Sequence, residues 1–136
     1  MIPKFRGLSI DENSKGEWQY GYLIEDNGQA FIINEVIEAS EQYITIGSWC
    51  PVDQKTVGQS TGLHDKNGKE IFEGDILDYN GRKAIVNWHG SYASFIYRFV
   101  DELHKRNAEW NPLYLAYYHF EVVGNKFENP ELLEVE

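Results

Sequence analysis

The run Asp65-Lys66-Asn67-Gly68-Lys69-Glu70-Ile71-Phe72-Glu73-Gly74-Asp75-Ile76 decides the fold of this chain. Asn-Gly suits a two-residue type I′ turn, in which both positions need positive φ. Folded on such a turn, the run becomes a short hairpin with Leu63 opposite Phe72 and with Asp65 opposite Glu70. Lys66 and Lys69 then lie close enough to offset those two carboxylates. Glu73-Gly74-Asp75 makes the corner at which the next strand begins, since glycine admits backbone angles closed to other residues. Turn chemistry accounts for every residue type in the run without any ligand.

Two more Asn-Gly pairs extend the pattern. At Asn80-Gly81 the turn joins Gly74–Tyr79 to Arg82–Trp88, where Ala84, Val86 and Trp88 share one face. At Asn27-Gly28 it sets Ile24 opposite Phe31 and Tyr22 opposite Ile33, so that Trp18, Tyr20, Tyr22 and Ile24 alternate along one face as a half-buried strand requires. Tyr92–Phe99 is rich in aromatic and branched residues and reads as a further strand, and Tyr118, Phe120 and Val122 alternate in a late one. Asn34–Gln42 and Asp101–Glu109 lack alternation and carry Glu, Ala, Leu or Lys, which predicts one or two short helices. Asn129-Pro130-Glu131-Leu132-Leu133 reads as one helical turn, with Asn129 as its cap. No Gly/Ser-rich linker, low-complexity tract or repeat divides the chain. The expectation is a mainly β protein of one domain, in which an N-terminal hairpin region (1–52) packs onto a barrel-like body (53–136).

Composition bounds the function. The chain has 136 residues, with 12 basic against 22 acidic side chains and a formal charge of −10. At that size a chain buries enough surface for a real core without disulfides or metals. Aromatics make up 15%, too many for a disordered acidic segment. The acidity also opposes any sequence-independent grip on phosphate, which comes from Lys and Arg releasing counterions, so direct nucleic-acid binding is disfavoured. Cys50 is the only cysteine, which excludes an intrachain disulfide and a cysteine-held zinc and suits a reducing cytoplasm. The N-terminus lacks the apolar core of a signal peptide, and no run approaches the roughly 20 apolar residues of a membrane span.

Candidate chemistry is sparse. Asp65, Glu70, Glu73 and Asp75 would suit acid/base work or a hard cation by type, but their spacing matches no calcium loop and solvated turn carboxylates explain them better. His64, His89, His104 and His119 include no pair three or four residues apart, so a zinc site would depend on the fold to assemble it. Ser60, Ser91, Ser94 and Cys50 lack any nucleophile motif, and Gly58, Gly62, Gly68 and Gly74 follow no phosphate-loop spacing. The expected catalytic, cofactor and metal sets are therefore empty. Trp110, Tyr114, Tyr117 and Tyr118 crowd around Pro112 outside the hairpins. They read either as barrel-end core or as a protein interface, where aromatics with a polar handle are enriched.

Taken in order, Phe5-Arg6, Thr56-Val57-Gly58-Gln59-Ser60-Thr61-Gly62-Leu63, the 65–76 run, Gly124-Asn125 and Glu128-Asn129-Pro130-Glu131-Leu132-Leu133 resemble the YopX family of phage and prophage proteins. The resemblance runs from Pro3 to Leu133. His64 stands where the family more often has Lys or another polar residue, and Gly7-Leu8 departs from its usual start. The resemblance implies an SH3-like barrel body, a bacterial cytoplasm and self-association, and it implies no reaction. The leading expectation is a non-enzymatic accessory module that forms homo-oligomers and contacts a host or phage protein. One alternative is an acidic DNA mimic that occupies a nucleic-acid enzyme. Another is a nucleic-acid-binding barrel using Lys66, Lys69, Arg82 and Lys83, although Asp65, Glu70, Glu73, Asp75 and Asp78 among them cancel much of that field.

Overall fold

The computed structural model describes residues 4–103, 105 and 109–134. The chain divides into two compact units, one ending at Ser60 and the other beginning at Thr61. The mainly β expectation holds in both, and every strand pairing described is antiparallel.

The first unit contains β1 (Phe5–Leu8), β2 (Trp18–Asp26), β3 (Gln29–Ala39), β4 (Ile44–Val52) and the start of β5 (Gly58–His64). Their order is β4-β3-β2-β1, with Gly58 and Gln59 of β5 paired along β1. Asn27 and Gly28 take φ of 54° and 80°, and the hairpin has the expected register, Tyr22 against Ile33 and Ile24 against Phe31. The covered face is the other one. Ala30, Ile32 and Val52 form the core with Phe5, Leu23 and Val57 against them, whereas Tyr20, Tyr22 and Ile24 are exposed. Alternation fixes which residues share a face but not which face is covered, and here the smaller aliphatic set packs inward.

A helix over Asn34–Gln42 does not form. β3 instead continues to Ala39 and pairs with β4, with irregularities between Ile33 and Glu35, Glu35 and Val36, and Val36 and Glu38. These bulges break the alternation by which a strand is recognised, while the β-branched Val36 and Ile37 favour extended backbone over the modest helix preference of Glu and Ala. The connecting turn is closed by Ser40, whose N–H donates to the Tyr43 carbonyl at 2.8 Å and whose hydroxyl accepts from the N–H groups of Gln42 and Tyr43.

The second unit holds the rest of β5, then β6 (Glu70–Phe72), β7 (Asp75–Tyr79), β8 (Arg82–His89), β9 (Ser94–Phe99), β10 (Asn111–Pro112) and β11 (Glu121–Asn125). A five-stranded sheet runs β10-β9-β8-β7-β11. It does not close into a barrel among the described residues, because β10 and β11 are its two edges and Pro112 has no N–H to extend pairing beyond β10. Asn80 and Gly81 make the expected turn at φ of 51° and 88°. The core is Ile71, Leu77, Ala84, Val86, Tyr97, Leu113 and Phe120. In place of α-helices stand short 3-10 turns at Gln54–Thr56, Val100–Glu102, Leu113–Leu115, Tyr117–His119 and Pro130–Leu133. Asn129 does not cap the last of these with its side chain; its Oδ1 accepts from the Asn125 N–H at 3.1 Å. Part of the expected Asp101–Glu109 helix lies outside the described residues. Among the described residues no helix is long and apolar enough to cross a membrane.

Candidate functional site

The 65–76 run is structural, but by a different device from the one its sequence suggests. Gly68 takes φ of 85° while Asn67 stays at negative φ, and the Gly68 N–H reaches the Asp65 carbonyl at 3.0 Å. The Asp65 N–H in turn donates to the Lys69 carbonyl at 2.8 Å. This is a three-residue loop with glycine in the left-handed position, not a two-residue type I′ turn, and it shifts the expected pairing by one residue. Asp65 and Asp75 are buried rather than solvated. Asp65 Oδ1 accepts from the N–H groups of Asn67 and Lys69 at 2.9 and 2.8 Å, and its Oδ2 accepts from Val122 N–H at 2.9 Å. Asp75 Oδ2 accepts from Phe72 N–H at 2.8 Å. The Glu73 carboxylate, half-buried, accepts from Trp88 N–H at 3.3 Å. Backbone donors thus hold Asp65, Glu73 and one oxygen of Asp75.

The expected aromatic cluster is not one cluster. Trp110 packs on His89 and Tyr92, with ring centroids 4.8 and 4.6 Å away. Tyr117 packs against the core of the second unit and makes an edge contact with Tyr118 at 5.4 Å. Tyr114 and Tyr118 are 60% and 55% exposed, and with Leu115 they form a ridge over the two adjacent 3-10 turns.

The remaining candidates are dispersed. His64 is exposed, His119 lies against Tyr118 and Tyr79, and His104 is outside the described residues. Among the described residues no three His, Cys, Asp or Glu side chains gather where a metal ion would fit. Cys50 is buried, 3.2 Å from the Ser9 hydroxyl. In the basic group, Arg82 is bound to Asp101 by two hydrogen bonds of 2.9 and 3.0 Å and lies over the Phe99 ring at 3.6 Å. The Asp101 carboxylate holds the Arg82 guanidinium charged to higher pH than usual, so that cation is already engaged.

A further set of exposed apolar side chains carries no motif that marks it in the sequence as a site. In β3 and β4 and the turn between them, Ile37 is 65% exposed, Ile44 64%, Trp49 59% and Tyr43 51%. Ile33, level with Tyr22 on one side and Trp49 on the other, is buried among these exposed side chains, and Phe31 meets Trp49 edge to face at 5.7 Å. Gly47 leaves the room through which Glu35 and Ile37 cross the ribbon, since a Cβ there would come within 3.0 Å of both. At the tip, the Tyr43 hydroxyl donates to Glu38 at 2.7 Å, which raises the phenol pKa above its ordinary value. One sequence signal marks the surface: residues 16–54 carry seven Asp and Glu and no Lys, Arg or His.

The sequence model of the YopX protein family matches residues 4–134. The chain is also similar to the crystal structure of protein EF1440 from Enterococcus faecalis, with 31% identity, 98% of this chain and 99% of that chain covered, and a TM-score of 0.62. No curated protein matches the chain significantly.

Proposed function

The chain belongs to the YopX family, and from that membership and its surfaces we propose that it is a non-enzymatic, self-associating binding module of a phage or prophage, acting in the bacterial cytoplasm on a host or phage protein. The observation that carries the reading is the exposure of large apolar side chains in two separate places, the outer face of β2–β4 in the first unit and the Tyr114–Leu115–Tyr118 ridge in the second. Large exposed apolar side chains gathered on neighbouring residues mark interaction sites in soluble proteins. A module that binds both its own copy and a partner needs two such surfaces. We assign the ridge to self-association, since aromatic side chains bury large area at small rotamer cost, and the β2–β4 face to the partner. The buried carboxylates support a non-catalytic reading, because both oxygens of Asp65 and Oδ2 of Asp75 accept from backbone N–H groups.

The test is affinity capture from phage-infected and uninfected bacterial cells with the immobilised chain and with its Ile37→Ser/Ile44→Ser variant. A protein retained by the first and lost by the second supports the reading. Recovery of the same proteins by both, or of none, contradicts it.

A further inference from the structure

We propose that β4 and the arm it shares with β3 take up an extended segment of a partner protein in which Lys or Arg alternates with apolar residues. The inference rests on the binding-module reading and specifies what the partner presents. β4 is the last strand of its sheet: its end is met by Ser9 at Val52 and by the Ile10 N–H, which donates to the Pro51 carbonyl at 3.0 Å, but along Ile44–Trp49, exposed throughout, one row of backbone N–H and C=O groups faces outward among the described residues. Soluble proteins guard such edges with Lys, inward charges, proline or bulges. Here the only proline is Pro51, near the end of the strand, and no Lys occurs between Gly16 and Gln54. Bulges interrupt the pairing with β3, but with no Lys or proline along Ile44–Trp49 the outer edge is still a template on which an extended peptide adds as a further strand, with main-chain hydrogen bonds giving affinity and alternate side chains giving specificity.

Charge selects the occupant. The arm carries Glu35, Glu38 and Glu41, and all seven ionised side chains of residues 16–54 are acidic. A second copy added here would set those carboxylates against their own kind, and a phosphate backbone would be repelled in the same way. A strand bearing Lys or Arg on one face meets the carboxylates, while its apolar residues cover Ile44, Ile46 or Trp49. The arm gains from this, since a two-stranded ribbon with no third strand is marginal in water.

The experiment is fluorescence anisotropy with three labelled probes: a short peptide of alternating Lys and Val, one of alternating Glu and Val, and a short DNA duplex. The Lys-Val peptide is expected to bind, more weakly at high salt. Its affinity is expected to fall about tenfold or more in Glu38→Lys/Glu41→Lys and in Ile44→Ser/Trp49→Ser. Glu131→Lys/Glu134→Lys, which makes the same charge change on the second unit, is expected to leave it within about twofold. Equal weakening by both charge reversals, equal binding of the Glu-Val peptide or the duplex, or no binding of the Lys-Val peptide would overturn the proposal. So would a change in sedimentation mass in the Ile44→Ser/Trp49→Ser variant, which would make the occupant a second copy. If a captured cellular partner is lost on Ile37→Ser/Ile44→Ser while the Lys-Val peptide fails, the binding-module reading stands and the inference about a basic strand alone falls.

Discussion

Asp65 fixes the backbone of Val122 across 57 positions of sequence, its Oδ2 accepting the Val122 N–H at 2.9 Å while its Oδ1 closes the turn to Lys69. One buried carboxylate therefore joins the hairpin β5–β6 to the start of β11. Asp65→Ala would leave three backbone donors without their acceptor, and hydrogen bonds to a charged group contribute roughly 1.5–3 kcal/mol each with incomplete additivity. The expected loss is about 3 kcal/mol in urea unfolding, with Asp65→Asn losing less because one acceptor oxygen remains. A change in Asp65→Ala below about 0.5 kcal/mol, the range of an ordinary surface substitution, would show that the bonds do not carry the junction.

Gly21 makes a second contact that only glycine permits. Its φ is 152°, and a Cβ built there would collide with the carbonyl oxygen of Ile33 on the neighbouring strand. Gly21→Ala is expected to destabilise the first unit by about 1–3 kcal/mol, the usual cost of overpacking with a backbone shift. Amide exchange would show the loss in β2 and β3. Exchange unchanged in those strands would contradict it.

The tip of the arm offers a titration. Because the Tyr43 hydroxyl donates to Glu38, the neutral phenol is favoured and its pKa is raised. The bond is intact below the ordinary tyrosine pKa of about 10 and is lost as pH rises through the raised value. Glu38→Ala is expected to return the Tyr43 midpoint, followed by carbon NMR of the ring, toward the ordinary value. A midpoint that does not move would place the tyrosine elsewhere than on Glu38.

The sequence makes the hairpins legible where turn chemistry is local. Asn27-Gly28 and Asn80-Gly81 name both the turn and the register, because few residues tolerate positive φ at two successive positions. Asn67-Gly68 looks the same and folds differently, since Asp65 offers its carboxylate to the N–H groups of Asn67 and Lys69 and stabilises the longer loop. The burial of Asp65 and Asp75 was not legible, for it depends on Val122 and on packing set by distant strands. The arm was hidden by its bulges, which replace alternation with an irregular pattern that Glu and Ala make look helical. Tyr117 could not be separated from Tyr114 and Tyr118 by spacing, because all three stand in adjacent 3-10 turns whose exposed side is fixed only by the core beneath. The absence of basic residues from 16 to 54 is plain in the sequence, but its meaning depends on the exposed apolar side chains of the same strands, which no local pattern reveals.

The division of labour between the two surfaces is the central claim, and sedimentation equilibrium tests it most directly with three proteins: the unaltered chain, Tyr114→Ser/Tyr118→Ser and Ile37→Ser/Ile44→Ser. The expected result is a multiple of the chain mass for the unaltered protein and for the arm variant, and the mass of a single chain for the ridge variant. A single-chain mass for the unaltered protein, or dissociation caused by the arm variant instead of the ridge variant, would contradict the account.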